Sequence, residues 1–317
     1  MEIVMLEPLG IKEELLKKLS SDLSGKWHKF TACDRSEDQS VLMKRVKNAD
    51  VLIVSNLPLN SEIIRSAASL KMISVAFTGT DHIDAQTCRE KGVTVCNAAG
   101  YSTNSVAELA FCLMMDVLRK VIPCDRAVRS GGTKHGLTGN ELAGKTIGIV
   151  GTGAIGMRVA EIAKAFGCKL VGFSRTKRKD AEALGLEYVT LDELMACSDI
   201  VTLHTPLTEE TRHLIGRERI SLMKPTGILI NTARGPIVDS TALAEALNKG
   251  AVAGAGIDVY ETEPPLSTGH PLLNAKNVVA TPHIAFATQE ALEKRAIITF
   301  DNISSWLNGE PKNIIIG

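Results

Sequence analysis

Lys145-Thr-Ile-Gly-Ile-Val150, Gly151-Thr-Gly-Ala-Ile-Gly156 and Met157-Arg-Val-Ala-Glu-Ile-Ala-Lys-Ala-Phe166 follow one another without a break. The first block reads as a buried strand and the last as a helix. That helix is ended by Gly167 before a second apolar run, Leu170–Phe173. Between them stands G-x-G-x-x-G. Set between a strand and a helix, this pattern makes a tight turn, lets backbone approach a pyrophosphate, and aims helix N–H groups at negative charge. Gly151, Gly153, Ala154, Ile155 and Gly156 are therefore the candidate phosphate cradle of a dinucleotide site.

Outward from this block the alternation of strand and helix continues. Thr146–Val150, Leu170–Phe173, Asp199–His204, Ile228–Asn231, Gly254–Val259 and Val278–Thr281 are six strand candidates, and the period of Thr241–Asn248 predicts a helix capped by Gly250. Six parallel strands make a complete dinucleotide-binding sheet. Upstream, Ile3–Leu6, Val51–Val54, Met72–Ala76 and Val93–Cys96 are short apolar runs separated by helix-period segments such as Ile11–Leu19. They predict a second, smaller doubly wound sheet. A long helix is expected from Ser105, with Ser105 and Glu108 as a capping box. The glycine-rich stretch Pro123–Gly144 reads as an irregular arm. The closing helix Thr288–Leu307 is expected to return to the N-terminal domain.

Composition excludes several classes. The 317 residues exceed one ordinary core and predict two domains. Lys+Arg 36 against Asp+Glu 36 gives no net pull toward nucleic acid or an anionic membrane. No apolar run reaches the ~18 residues of a bilayer span, since Val106–Leu118 carries Glu108 and Asp116. The N-terminus MEIVMLEPLG lacks the basic n-region and apolar core of a signal peptide. Seven cysteines, odd in number and without a CxxC pair, argue against a disulfide framework or zinc ribbon. A cytoplasmic protein with no metal site is expected.

The tip of the second strand bears on cofactor choice. NAD enzymes usually place an Asp or Glu there for the ribose 2′-OH. Here Ser174 is followed by Arg175, Thr176, Lys177, Arg178 and Lys179, and the first acid is Asp180. A hydroxyl beside guanidinium groups suits a 2′-phosphate. Ser174 and Arg175, with Arg178 as a further candidate, predict NADP(H), with NAD(H) as the alternative.

Ligands of doubly wound sheets sit beyond the carboxyl ends of the strands. Arg234 in Asn231-Thr-Ala-Arg-Gly235, Glu263 in Asp258-Val-Tyr-Glu-Thr-Glu263 and His283 in Thr281-Pro-His-Ile284 follow such ends. An Arg–Glu–His set suits hydride exchange on a 2-keto or 2-hydroxy acid. Arginine holds the carboxylate and polarises the carbonyl, histidine donates a proton to the nascent alkoxide, and glutamate keeps that histidine protonated and oriented.

With Gly79-Thr-Asp-His-Ile-Asp84, Gly151–Gly156, Leu203-His-Thr-Pro-Leu-Thr208, Asn231–Gly235, Gly256-Ile-Asp-Val259 and Thr281–Ile284, the chain resembles the D-isomer-specific 2-hydroxyacid dehydrogenases over nearly its whole length. The resemblance implies a Rossmann nucleotide domain (99–283) inserted into a flavodoxin-like substrate domain (1–98 plus 284–317). It implies catalytic Arg234, Glu263 and His283. It also implies a substrate carboxylate held at Thr78 and Gly79, Asp258 at the nicotinamide carboxamide, and Thr205, Pro206 and Thr232 along the cofactor groove. Gly100-Tyr-Ser-Thr103 and His283-Ile-Ala-Phe-Ala-Thr288 look most like hydroxypyruvate/glyoxylate reductases. Alternatives are NAD-using D-3-phosphoglycerate or D-lactate-type dehydrogenases and, of another class, a corepressor-like dinucleotide-responsive binding protein. A homodimer built through Ser102–Gly144 is expected on the same ground.

Overall fold

Parallel strands buried on both faces need unbroken apolar runs, and these decide what forms here. The computed structural model describes residues 1–24 and 28–317. It divides into two compact units, Met1–Ser102 with Ala287–Gly317, and Thr103–Phe286. The boundaries thus fall a few residues beyond the expected 98/99 and 283/284.

In the first unit, β1 (Glu2–Met5), β2 (Lys29–Ala32), β3 (Val51–Val54), β4 (Met72–Val75) and β5 (Thr94–Asn97) form a parallel sheet in the order β5-β4-β3-β1-β2. This is the flavodoxin-type winding. β3 and β4 are buried at every position, whereas β2, Lys-Phe-Thr-Ala, is an exposed edge without an apolar run. That is why β2 escaped the sequence reading. The helix Gln289–Leu307, capped by Thr288, returns to this sheet. Its Ala296, Phe300 and Ile303 pack with Ile3, Met5, Val51 and Ile53.

The second unit carries β6 (Thr146–Val150), β7 (Lys169–Phe173), β8 (Leu186–Tyr188), β9 (Ile200–Leu203), β10 (Ile228–Asn231), β11 (Gly254–Ile257) and β12 (Val278–Ala280). All seven are parallel, in the order β12-β11-β10-β9-β6-β7-β8. The winding reverses between β6 and β9, which opens a crevice beyond their carboxyl ends. The expected six strands become seven because three-residue β8 is too short to give a periodic signal. The chain ends in β13 (Ile314–Ile316), antiparallel to β5 and the exception to an otherwise parallel pair of sheets.

Two local expectations are corrected. The long helix spans Thr103–Arg119, so Ser105 is buried in its first turn and is not the residue that opens it. The stretch read as an irregular arm begins with a helix, Val121–Arg129. Pro123 is compatible with it because the first turn needs no intrahelical N–H. Among the described residues, no helix is long and apolar enough to cross a membrane, and no group of three or more His, Cys, Asp or Glu is placed to hold a metal.

Candidate dinucleotide and keto-acid site

The glycine turn shows why side chains are absent from it. Gly151 has φ +96°, and a Cβ there would lie 2.5 Å from the His204 carbonyl oxygen; one on Gly156 would lie 2.0 Å from the Gly151 oxygen. The helix Ala154–Ala165 therefore packs directly on the turn. Exposed Gly153 opens that helix without a side-chain cap, and its first intrahelical bond is Met157 N–H to the Gly153 oxygen, 2.9 Å. The N–H groups of Ala154 and Ile155 precede that bond and stand at the positive end of the dipole. Beyond β10, the Thr232 hydroxyl is buried with no hydrogen-bond partner among the described residues. A cradle this tight and a buried polar atom left over fit an anionic dinucleotide. Thr205 is half-buried and Pro206 exposed just after β9. Burial pushes His204 down to about 3, and its Nε2 shares a 2.9 Å hydrogen bond with Thr202 Oγ1, so it brings no positive charge to the cradle.

At the tip of β7, Ser174 is half-buried and Arg175 exposed. The Arg178 guanidinium is taken by Asp180, with Nε 2.9 Å from Oδ1, and its backbone N–H donates to the Tyr188 hydroxyl at 3.0 Å. Lys177 lies over the Tyr188 ring, 5.9 Å from its centre. Of the two arginines expected to face a 2′-phosphate, Arg178 is thus committed elsewhere and Arg175 remains.

Beyond β10 and β11 the chain builds a polar corner. Asn231 closes a turn by donating to the Arg234 carbonyl, 2.9 Å, and accepting from Ala233 N–H, 3.0 Å. Gly235 follows because a Cβ there would fall 1.9 Å from the Tyr260 backbone. This close approach sets Arg234, half-buried with Nη1 on the Ala233 carbonyl at 2.8 Å, beside the segment carrying Glu263. His283 Nδ1 sits 2.8 and 2.9 Å from the two carboxylate oxygens of exposed Glu263. The Phe286 ring stands edge-on to the imidazole at 5.4 Å.

His283 has φ +56°, an uncommon backbone for a non-glycine residue. Asp258, fully buried, holds it there. Its carboxylate accepts from Thr281 Oγ1 (2.6 Å), Ile284 N–H (2.8 Å) and Ala285 N–H (2.9 Å), while its carbonyl accepts from His283 N–H (2.8 Å). Three hydrogen bonds on one buried carboxylate make it a brace for the 281–285 turn, a role its motif did not disclose. A second pair steadies the Glu263 loop, His270 Nε2 to Glu261 Oε2 at 2.9 Å. Burial would raise the Glu261 carboxyl, but hydrogen bonds from Ser240 and His270 outweigh it and hold the group below its ordinary value. Sequence reading gave no role to Asn231, Glu261 and His270; an Asn at the end of a buried strand, able to bond the backbone two residues on, would have pointed to the first. In the first unit, Thr78 and Gly79 follow β4, and Asn97 Nδ2 donates to the Thr78 carbonyl at 2.7 Å.

Residues 111–285 match the family model described as "D-isomer specific 2-hydroxyacid dehydrogenase, NAD binding domain". The chain is 41% identical to a glyoxylate reductase of Thermococcus litoralis over 292 residues, 89% of this chain and 88% of that one. It is 43% identical to a hydroxypyruvate reductase of Thermotoga maritima, covering 84% and 87% of the two chains. Among solved structures, an acyclic imino acid reductase in complex with NADPH and D-Arg superposes with a TM-score of 0.90 at 31% identity, over 100% of both chains.

Proposed function

The chain belongs to the D-isomer specific 2-hydroxyacid dehydrogenase family, and on that premise we propose that it reduces hydroxypyruvate to D-glycerate and glyoxylate to glycolate with NADP(H). The relatives at 41% and 43% identity are named as reductases, which favours an enzyme over a dinucleotide-responsive binding protein. The observation that carries the reading is the His283–Glu263 pair, on a left-handed backbone at His283 and beyond the carboxyl ends of a dinucleotide sheet.

When bound, the reduced nicotinamide supplies the hydride. The chain's own residues do the rest. Gly151, Gly153, Ala154, Ile155 and Gly156 receive the pyrophosphate, Thr205, Pro206 and Thr232 line the groove, and Ser174 with Arg175 receives a 2′-phosphate. Arg234 presents a planar fork to the substrate's carboxylate and carbonyl. With Nδ1 donated to Glu263, His283 has Nε2 for passing a proton to the carbonyl oxygen. Glu263 fixes that tautomer and offsets the charge of the imidazolium. The Phe286 ring on the flank of the imidazole favours small substrate side chains, as do the names of the two reductase relatives. The NADP(H) assignment rests on Ser174 and Arg175 at the tip of β7 and is compatible with a relative seen with NADPH.

Initial rates across a panel of 2-keto acids with NADPH and NADH test this. The highest kcat/KM is expected for hydroxypyruvate or glyoxylate with NADPH, and His283→Ala should lose about 10²–10⁴ in kcat with nucleotide affinity retained. A tenfold preference for phosphohydroxypyruvate or pyruvate with NADH would sink it in favour of a phosphoglycerate or D-lactate type. We further assign a cytosolic homodimer formed through 102–144. On the helix Val121–Arg129 no residue is buried, and Val121 and Val128 are 47% and 72% exposed. Sedimentation of Val128→Glu, expected to shift toward monomer, checks the dimer.

A further inference from the structure

The edge strand β8 brings to the nucleotide site one side chain that no motif contains. Tyr188 lies on β8 opposite Gly172 of β7. Its hydroxyl is 2.8 Å from the Thr152 Oγ1 and accepts the Arg178 backbone N–H at 3.0 Å. Thr152 is the residue between the first two glycines of the phosphate turn, and its side chain is 2% exposed. Arg178 lies within the basic stretch that runs from Arg175 to Lys179. One hydroxyl therefore ties the phosphate turn to the tip of β7. The same ring carries Lys177 on its face, 5.9 Å from the centre, which draws that lysine back over β8. Asp180 draws the Arg178 guanidinium the same way. With both ends of the 174–178 loop held, by β7 at one side and Tyr188 at the other, Ser174 and Arg175 are left with few backbone arrangements.

We propose that Tyr188 is a positioning residue whose hydroxyl clamps the 174–178 loop to the glycine turn, and thereby sets the discrimination between nucleotides with and without a 2′-phosphate. The inference deepens the NADP(H) reading and rests on it for the direction of the discrimination. Preorganisation is the physical reason. A loop already ordered spends none of its contact energy with the phosphate on becoming ordered, whereas a loose loop must be fixed by the ligand itself. A nucleotide without the phosphate touches less of this loop and gains less from the clamp.

The test uses Tyr188→Phe, which keeps the ring, its packing and the lysine above it. Hydrogen–deuterium exchange of the 174–180 segment should accelerate, because the Arg178 amide loses its acceptor. Calorimetry on the full chain should show 2′,5′-ADP weakened about fivefold, the size expected of one hydrogen bond, and ADP by less than about twofold. Thr152→Val removes the other end of the clamp, and the two substitutions together should cost little more than either alone. Unchanged exchange in Tyr188→Phe overturns the clamp. Faster exchange with equal weakening of both nucleotides overturns the discriminating role and leaves a merely structural tyrosine. Equal binding of the two nucleotides by the unmodified protein overturns the NADP(H) reading and the discrimination together. Failure of the proposal alone shows instead as a selective parent whose selectivity survives in Tyr188→Phe.

Discussion

Asp258→Asn should damage the protein in two measurable ways, both traceable to the brace under His283. The carboxylate receives Thr281 Oγ1, Ile284 N–H and Ala285 N–H in a site with no exposed surface. A hydrogen bond to a charged group contributes about 1.5–3 kcal/mol, roughly twice a neutral one. Asparagine keeps a single oxygen. If that oxygen serves Thr281 and Ile284, the new amide turns its own N–H toward the Ala285 N–H. Losing one charge-assisted bond and weakening two by about 1 kcal/mol each destabilises the second unit by about 4 kcal/mol. The left-handed backbone at His283 costs on the order of 1–3 kcal/mol to maintain, so a weakened brace lets the turn relax. A 1 Å shift of the imidazole is enough to lose about 10²-fold in kcat. Urea unfolding followed by tryptophan-independent circular dichroism, with kcat measured below the transition, reads both effects. A variant with the parent's midpoint and kcat within about threefold would refute the brace.

Three further outcomes are expected. Arg234→Lys keeps the charge but not the fork, and should lose about 10- to 100-fold in kcat/KM while calorimetric NADPH binding survives; an active lysine variant with unchanged KM would make Arg234 a peripheral ion pair. Ser174→Asp with Arg175→Ala should reverse nucleotide preference in steady-state assays, and added salt should erode the parent's preference because Arg175 is exposed. His204 folds with its value pushed from 6.5 to about 3 by burial, so the unfolded chain takes up the proton first. Its contribution to stability is complete above about 6.5 and is lost as pH falls toward 3, by at most about 1.4 kcal/mol per pH unit. His204→Gln should flatten the fall in urea midpoint between pH 7 and 4.5, and an equally steep fall in the variant would show that other groups cause it.

The parts of this molecule legible in the sequence are those where one residue type answers one physical demand. The glycine turn could be read because only glycine tolerates a carbonyl 2.0 Å from a would-be Cβ. The buried strands could be read because both faces demand apolar side chains, as at Val51–Val54 and Ile200–Leu203. β2 and β8 could not, being short edges whose residues answer to their neighbours rather than to a period. Arg234, Glu263 and His283 were visible as chemistry at strand ends. Their supports were not. Asp258 was recognised, yet three of its hydrogen bonds go to residues 23 to 27 positions away, a relation no local pattern contains. The ion pair of Arg178 with Asp180, two residues along, was equally invisible, because the sequence shows an acid there but not which way the guanidinium turns.

The helix Gln289–Leu307 lies on strands made near the start of the chain, and Ser74 donates to the Thr299 carbonyl across 225 positions. On a ribosome, the first sheet therefore emerges long before its cover. Until the last segment is synthesised, the face formed by Ile3, Met5, Val51 and Ile53 lacks Ala296, Phe300 and Ile303. Closing such a span from an open coil carries an entropic cost, which would be smaller if Thr103–Phe286 folded first. The connectivity thus predicts that the enclosing sheet is completed only when residues 289–307 join it. A chaperone that shields apolar sheet faces during that interval would find its substrate in the enclosing unit.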